Sequence, residues 1–105
     1  MIKVYHRKNP TFLLYTEDNL VEHRRAWADG DYKLVAEIYD VPAGNNGSQE
    51  EYAFLMTNSI EQAWVGNAGV RPIGGTDHRS TSVGDVVEKS DGTLRICAPT
   101  GWKTL

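Results

Sequence analysis

The residues with the widest chemical repertoire lie together at Asp77-His78-Arg79-Ser80-Thr81-Ser82. A carboxylate, an imidazole and three hydroxyls are the acid, base and nucleophile types of hydrolytic chemistry. Arg71 and Arg79 add guanidinium groups suited to an anion. Side chains adjacent in sequence rarely face one another, however, and a catalytic triad is defined by geometry, not adjacency. The plainer expectation is structural: Ser80, Thr81 and Ser82 bond local backbone ahead of a strand, and Gly84-Asp85 makes a turn. A loop that binds an anion or a partner ranks above catalysis.

The remaining chemistry-bearing residues do not complete a site. Gly66-Asn67-Ala68-Gly69 and Gly74-Gly75 lack the lysine and hydroxyl of a phosphate loop, and no helical pattern follows them. His6, His23 and His78 are far apart, and with one cysteine there is no metal-ligand spacing, so each histidine is expected at the surface or partly satisfied. No metal, cofactor or catalytic residue is therefore expected. Cys97 reads as a buried structural thiol with only Arg95 nearby to lower its pKa. Asn46-Gly47-Ser48 is a glycosylation sequon that a turn explains. Of the large aromatics, most belong in the core. Trp64, ahead of a polar glycine-rich stretch, is the candidate for partial exposure as a partner anchor, although the core reading leads there too.

The elements that position these residues follow from periodicity. Ile2 and Val4 alternate with polar neighbours as a first strand ending at Asn9-Pro10, and Phe12–Tyr15 is a candidate second. Asn19 caps a short helix carrying Leu20, His23, Arg24 and Trp27, and Asp29-Gly30 stops it. Residues 32–41 form the clearest strand, with Tyr32, Leu34, Ala36 and Ile38 on one face and Lys33, Val35, Glu37 and Tyr39 on the other. Ser48 and Glu51 have capping-box spacing for a second helix, whose apolar face is Tyr52, Leu55, Met56, Ile60 and Ala63 and which Asn58-Ser59 breaks. Residues 65–82 read as a long loop or a distorted edge. A β-meander follows: Val83–Glu88, Leu94–Ala98 and Trp102–Leu105. The expectation is one small α+β domain with about five mostly antiparallel strands and one or two short helices.

The chain has 105 residues, a single cysteine and a net charge of −3. That suits one modest core without disulfides. Residues 1–10 lack the apolar stretch of a signal peptide, and no apolar run reaches membrane-spanning length, so a soluble cytoplasmic protein is expected. Residues 1–33 carry six basic and five acidic side chains, 34–70 none and five, and 71–105 five and four. The acidic middle reads as a solvated surface, or more sharply as a patch for a basic partner. The net acidity weighs against a dedicated nucleic-acid binder.

Phe54-Leu55-Met56-Thr57-Asn58-Ser59-Ile60, Trp64, Asn67, Val70, the run from Arg79 to Val87 (RSTSVGDVV) and Gly101-Trp102 form a pattern. On these residues the chain resembles a family of small proteins encoded by actinobacteriophages and actinobacterial mobile elements. The RSTSVGDV segment is its most specific part. Trp102 stands where the family usually has Phe, and segment 17–31 is longer than usual. More distantly, residues 80–87 with the glycine–aromatic ending look like the YodL-like domains of mobile elements. The resemblance covers about half the chain and implies a phage or mobile-element origin; no activity, cofactor or catalytic residue carries over. The leading expectation is thus a non-enzymatic accessory that binds a host or phage macromolecule through Trp64, Asn67, Arg71, His78, Arg79 and Ser80. The alternative is a nucleic-acid-binding β domain using Lys3, Arg7, Lys8, Arg24, Arg25, Arg71 and Arg79. A small enzyme built on Asp77-His78 comes third, and a homodimer through an edge strand is compatible with all three.

Overall fold

The computed structural model describes residues 1–8, 19–39, 49–58, 63–75, 78–98 and 101–105. It is an α+β domain with a six-stranded antiparallel sheet in the order β3-β2-β1-β4-β5-β6. The strands are β1 Ile2–Arg7, β2 Tyr32–Ile38, β3 Val70–Pro72, β4 Val86–Glu88, β5 Leu94–Cys97 and β6 Trp102–Thr104. Two helices, α1 Asn19–Ala28 and α2 Gln49–Met56, and a 3-10 turn at Trp64–Gly66 complete the described elements.

Both faces of the sheet are covered. On one, Ala26 and Trp27 of α1 pack on Tyr5, Tyr32, Val86 and Ile96. On the other, Ala53, Tyr52 and Met56 of α2 join Trp64 over Ile2, Val4, Ala36, Ile38 and Val87. Period-two alternation decides which residue meets which layer: Ile2, Val4 and His6 point to the α2 side, Lys3, Tyr5 and Arg7 to the α1 side.

Helix α1 ends as its sequence dictates. Gly30 has φ +79°, the Gly30 N–H reaches the Trp27 carbonyl at 3.2 Å, and the Asp31 N–H reaches the Ala26 carbonyl at 2.9 Å. This is a Schellman closure, and it turns the chain straight into β2. Helix α2 stops at Met56, where Thr57 turns its hydroxyl back onto the Ala53 carbonyl and the Asn58 amide bonds the Phe54 carbonyl. The Ala53 carbonyl, which also accepts the Thr57 N–H at 3.1 Å, thus gains a second donor, and the Phe54 carbonyl is capped by a side chain.

Several expectations are corrected. Six strands lie among the described residues, because Val70–Pro72, within the segment expected as a loop or a distorted edge, pairs with β2 as an edge strand. The β2 alternation is broken by a bulge: Val4 pairs with Ala36 but Tyr5 with Leu34, so Val35 is an inserted residue that joins Ala36 and Ile38 in the core. Strand β4 begins only at Val86, since Ser82–Asp85 is a turn in which the Asp85 N–H bonds the Ser82 carbonyl at 3.0 Å. Leu55 is 58% exposed, off the packed face of α2 that Ala53 holds. The candidate strand Phe12–Tyr15, the cap at Ser48, the sequon and Ile60 lie outside the described residues.

Candidate functional site

Sheet geometry draws four distant polar residues together under the 78–85 segment. Beyond the last β1–β4 pair, Tyr5 with Val86, the two strands part. The Arg7 N–H on the β4 side therefore has no ladder partner, and the Asp85 carboxylate takes it at 3.0 Å. Asp85 also accepts the Ser82 N–H at 2.8 Å and both Arg79 Nη groups, at 2.6 and 2.8 Å. Its side chain is 1% exposed, so a carboxylate that would be costly to bury carries two backbone amides and a bidentate guanidinium. The same contact holds Arg79 protonated more firmly, through the Asp85 hydrogen bonds.

Behind Asp85 runs a chain of buried hydroxyls. The Thr57 hydroxyl donates to the Ala53 carbonyl at 2.7 Å. With its one proton so committed, it accepts from the Thr81 hydroxyl, 2.7 Å away. Thr81 Oγ1 in turn accepts from His6 Nε2 at 2.9 Å. The hydrogen bonds thus run one way, from His6 to Thr81 to Thr57 to the end of α2, and they fix His6 as the Nε2–H tautomer. Burial pushes its pKa down to about 4, despite the nearby Asp85 carboxylate. The Thr81 N–H closes the same corner on the Thr57 carbonyl at 3.0 Å.

The sequence-predicted residues are partly assembled around this core. Trp64 is fully buried, not partly exposed, because the 3-10 turn lays its ring over the sheet and its Nε1–H donates to the Arg79 carbonyl at 2.8 Å. His78 stacks on Trp64, with centroids 5.8 Å apart, and its Nε2 donates to the Ile73 carbonyl at 2.7 Å. The His6 ring lies 6.4 Å from the His78 ring. Asn67 donates to the Met56 carbonyl at 2.8 Å. Arg71 stands apart on β3, 68% exposed and 3.9 Å from Glu37. Ser80 is half-buried beside these groups. Asp77 lies outside the described residues.

Sequence reasoning missed His6, Thr57 and Asp85 as members of this cluster. One signal was present: His6 falls at the end of the Ile2, Val4 face, and a histidine on an otherwise apolar stripe needs a buried partner. His6 and His23 are 1% and 7% exposed, not surface residues. His23 accepts from Arg7 Nη1 at 3.1 Å, and burial followed by the Arg7 charge lowers its pKa.

Chemically the cluster is closed. A hydroxyl nucleophile needs a base free to take its proton and a path for substrate. Here Thr81 and Thr57 are 2% and 0% exposed, and the His6 nitrogen that faces them already carries the proton. Asp85 sits 3.9 Å from that same nitrogen, where no orienting hydrogen bond forms. Among the described residues no group of His, Cys, Asp and Glu could hold a metal ion. A wide cleft of about 610 Å³ opens elsewhere, at the C-terminal end of α1. Arg7, Lys8 and Arg25 line it, opposed by Glu22, Asp29 and Asp31. Its balanced charges select neither anion nor cation.

Several of the basic residues face carboxylates. Lys3 pairs across the sheet with Glu37 and Glu88, Arg7 bonds Asp31 at 3.1 Å, and Arg79 is held by Asp85. Of the acidic middle third, Glu37 pairs across the sheet with Lys3 and lies 3.9 Å from Arg71, while Glu50 is buried 3.8 Å from Lys89 and 3.5 Å from Arg95; Asp40 and Glu61 lie outside the described residues. No helix among the described residues is long and apolar enough to cross a membrane. Comparison of the chain with protein-family models, curated proteins and solved structures returns no match.

Proposed function

We propose that the protein is a non-catalytic interaction module, a phage-type accessory that binds a host or phage macromolecule in the cytoplasm of the host. The observation that carries this reading is the closure of the acid–base–hydroxyl constellation beneath the 78–85 segment. His6, Thr57, Thr81 and Asp85 are all at most 2% exposed and bonded to one another or to backbone. Their work is to clamp the 78–85 segment onto β1 and α2, leaving a stiff scaffold whose surface does the binding. Trp64, Asn67, His78 and Arg79 belong to that clamp, so the contact surface within the 64–82 segment reduces to Arg71 and Ser80. The nucleic-acid reading draws less support, since Lys3, Arg7, Arg71 and Arg79 each face carboxylates.

Affinity capture from an actinobacterial lysate, with and without nuclease, tests the proposal. A protein retained stoichiometrically after nuclease supports it. Loss of all partners on nuclease treatment transfers support to nucleic acid. Turnover of any substrate in a hydrolase panel, lost in folded His78→Ala protein, overturns the non-catalytic reading.

A further inference from the structure

His6 stands between two acceptors, and its charge decides which of them it serves. Its Nε2–H donates to Thr81 Oγ1 at 2.9 Å, while Asp85 Oδ2 lies 3.9 Å from the same nitrogen, beyond hydrogen-bond reach. A neutral imidazole is well served by the nearer hydroxyl. An imidazolium prefers the carboxylate, because a charge-assisted hydrogen bond is roughly twice as strong as a neutral one. The side chains of His6 and Asp85 are 2% and 1% exposed, so water barely screens that attraction.

The carboxylate has no vacancy. Its two oxygens offer about four acceptor positions, and four donors fill them. Oδ1 takes the Arg7 N–H at 3.0 Å and Arg79 Nη2 at 2.8 Å; Oδ2 takes the Ser82 N–H at 2.8 Å and Arg79 Nη1 at 2.6 Å. A new donor on Oδ2 must therefore displace one already there. The Ser82 amide is fixed by its turn, which the Asp85 N–H closes on the Ser82 carbonyl at 3.0 Å. Arg79 is 38% exposed, and its Nη1 already reaches the Ser80 carbonyl at 3.1 Å and the Ser82 hydroxyl at 3.3 Å. It can withdraw to water, which a buried imidazolium cannot.

We propose that His6 and Asp85 form an acid-operated latch: protonation moves the His6 Nε2–H from Thr81 to Asp85 Oδ2 and expels Arg79 Nη1 from that oxygen. The proton enters at Nδ1, the nitrogen that does not face Thr81. Of the charged and titratable groups around the ring, Asp85 alone attracts it; Arg79, His78 with its ring 6.4 Å away, and Lys33 opposite on β2 oppose a positive charge. Burial outweighs Asp85 and pushes the His6 pKa down to about 4, so the latch stays shut at neutral pH. When it opens, two side-chain ties of the 78–85 segment loosen together. Thr81 Oγ1 loses its donor and Arg79 swings outward, while the Arg7 and Ser82 amides remain on Asp85. The exchange does not depend on what the protein binds, and it makes residues 79–81 the part of the surface that acid remodels.

The test is nuclear magnetic resonance of the full chain from about pH 7 to about pH 3.5, following the His6 ring and the exchange of N–H groups with water. As the ring titrates, exchange of the Arg79 guanidinium protons, corrected for its intrinsic pH dependence, should quicken about tenfold or more, with the Arg7 and Ser82 amides keeping their protection. In folded His6→Gln the corrected Arg79 exchange should stay constant over the same range. Arg79→Gln removes a competing cation, and the His6 midpoint should rise by about half a pH unit or more. Loss of protection at Arg7, Ser82 and Arg79 together, as protonation of Asp85 or global unfolding would give, overturns the proposal. So does Arg79 exchange that ignores the His6 titration or that quickens equally in His6→Gln. Should neither variant fold, the wild-type comparison of Arg79 with Arg7 and Ser82 decides alone.

Discussion

Asp85 is the residue on which the clamp depends, and Asp85→Asn tests that directly. One carboxylate oxygen serves the Arg7 amide and Arg79 Nη2, the other the Ser82 amide and Arg79 Nη1. Asparagine retains one accepting oxygen and turns an NH2 toward two donors. Two hydrogen bonds are lost and the guanidinium is left without its counter-charge. A buried donor deprived of its acceptor costs about 1–3 kcal/mol, and breaking a fully buried ion pair about 3–5 kcal/mol. Arg79 is 38% exposed, so water recovers part of its share. The expected loss is about 2–4 kcal/mol. In urea this lowers the unfolding midpoint by about 1–3 M, with the slope unchanged. The cycle with Arg79→Gln should give a coupling of at least about 1 kcal/mol, because the Arg79 variant loses most of what the Asp85 variant loses. A loss below about 0.5 kcal/mol, or additive variants, would refute the account of Asp85 as the clamp.

Three further outcomes follow from the same geometry. His6 is neutral when folded, with its pKa pushed down to about 4 from an ordinary value of 6.5, so the unfolded chain binds the proton first as pH falls. Stability is therefore full above about pH 6.5 and declines towards pH 4 by up to about 1.4 kcal/mol per unit for this group, His23 adding in the same direction; thermal midpoints across that window should fall, and less steeply in His6→Gln. Burial pushes the Cys97 thiol up to about 11, so it should resist a thiol reagent at pH 8 in native protein and react at once in denaturant. Trp64→Phe should cost about 2–3 kcal/mol by calorimetry, through lost volume and the unanswered Arg79 carbonyl, whereas a surface role would leave the midpoint unchanged.

What was legible in the sequence was local. Asp29-Gly30 announces the end of α1 because a left-handed residue there is a short-range demand, and the meander is written in alternation and in the Ser90-Asp91-Gly92 turn. Strand β3 was legible only as a distorted edge somewhere within 65–82: three residues ending in proline carry no periodicity, and pairing with β2 makes them a strand. The β2 bulge, which the register against β1 imposes, was not legible. The clamp escaped because its members, His6, Thr57, Thr81 and Asp85, are separated by up to 79 positions and meet only once the sheet exists. Asp85 of the RSTSVGDV run was read as a turn former and does close the Ser82–Asp85 turn, whereas the Thr81 hydroxyl, expected on local backbone, bonds His6 and Thr57 instead. Receiving β1, the task they share, is a tertiary fact. The candidate exposure of Trp64 failed for a similar reason, since a polar glycine-rich sequel says nothing about the sheet beneath.

The place of β1 in the sheet also sets an order of events for the nascent chain. Of the described strands, the first in chain order is an inner one, lying between β2 and β4. While it emerges from the ribosome, one side waits for residues 32–38 and the other for residues 86–88. Its amides toward β4, and the Arg7 amide that Asp85 receives, have no partner until residues 85–88 are out. The loops to be closed are long, and entropy opposes them until the last contacts form. Folding thus becomes an event of completion: a chain stalled before Asp85 holds a half-paired, apolar strand exposed to other strands, and is a candidate for chaperones or degradation.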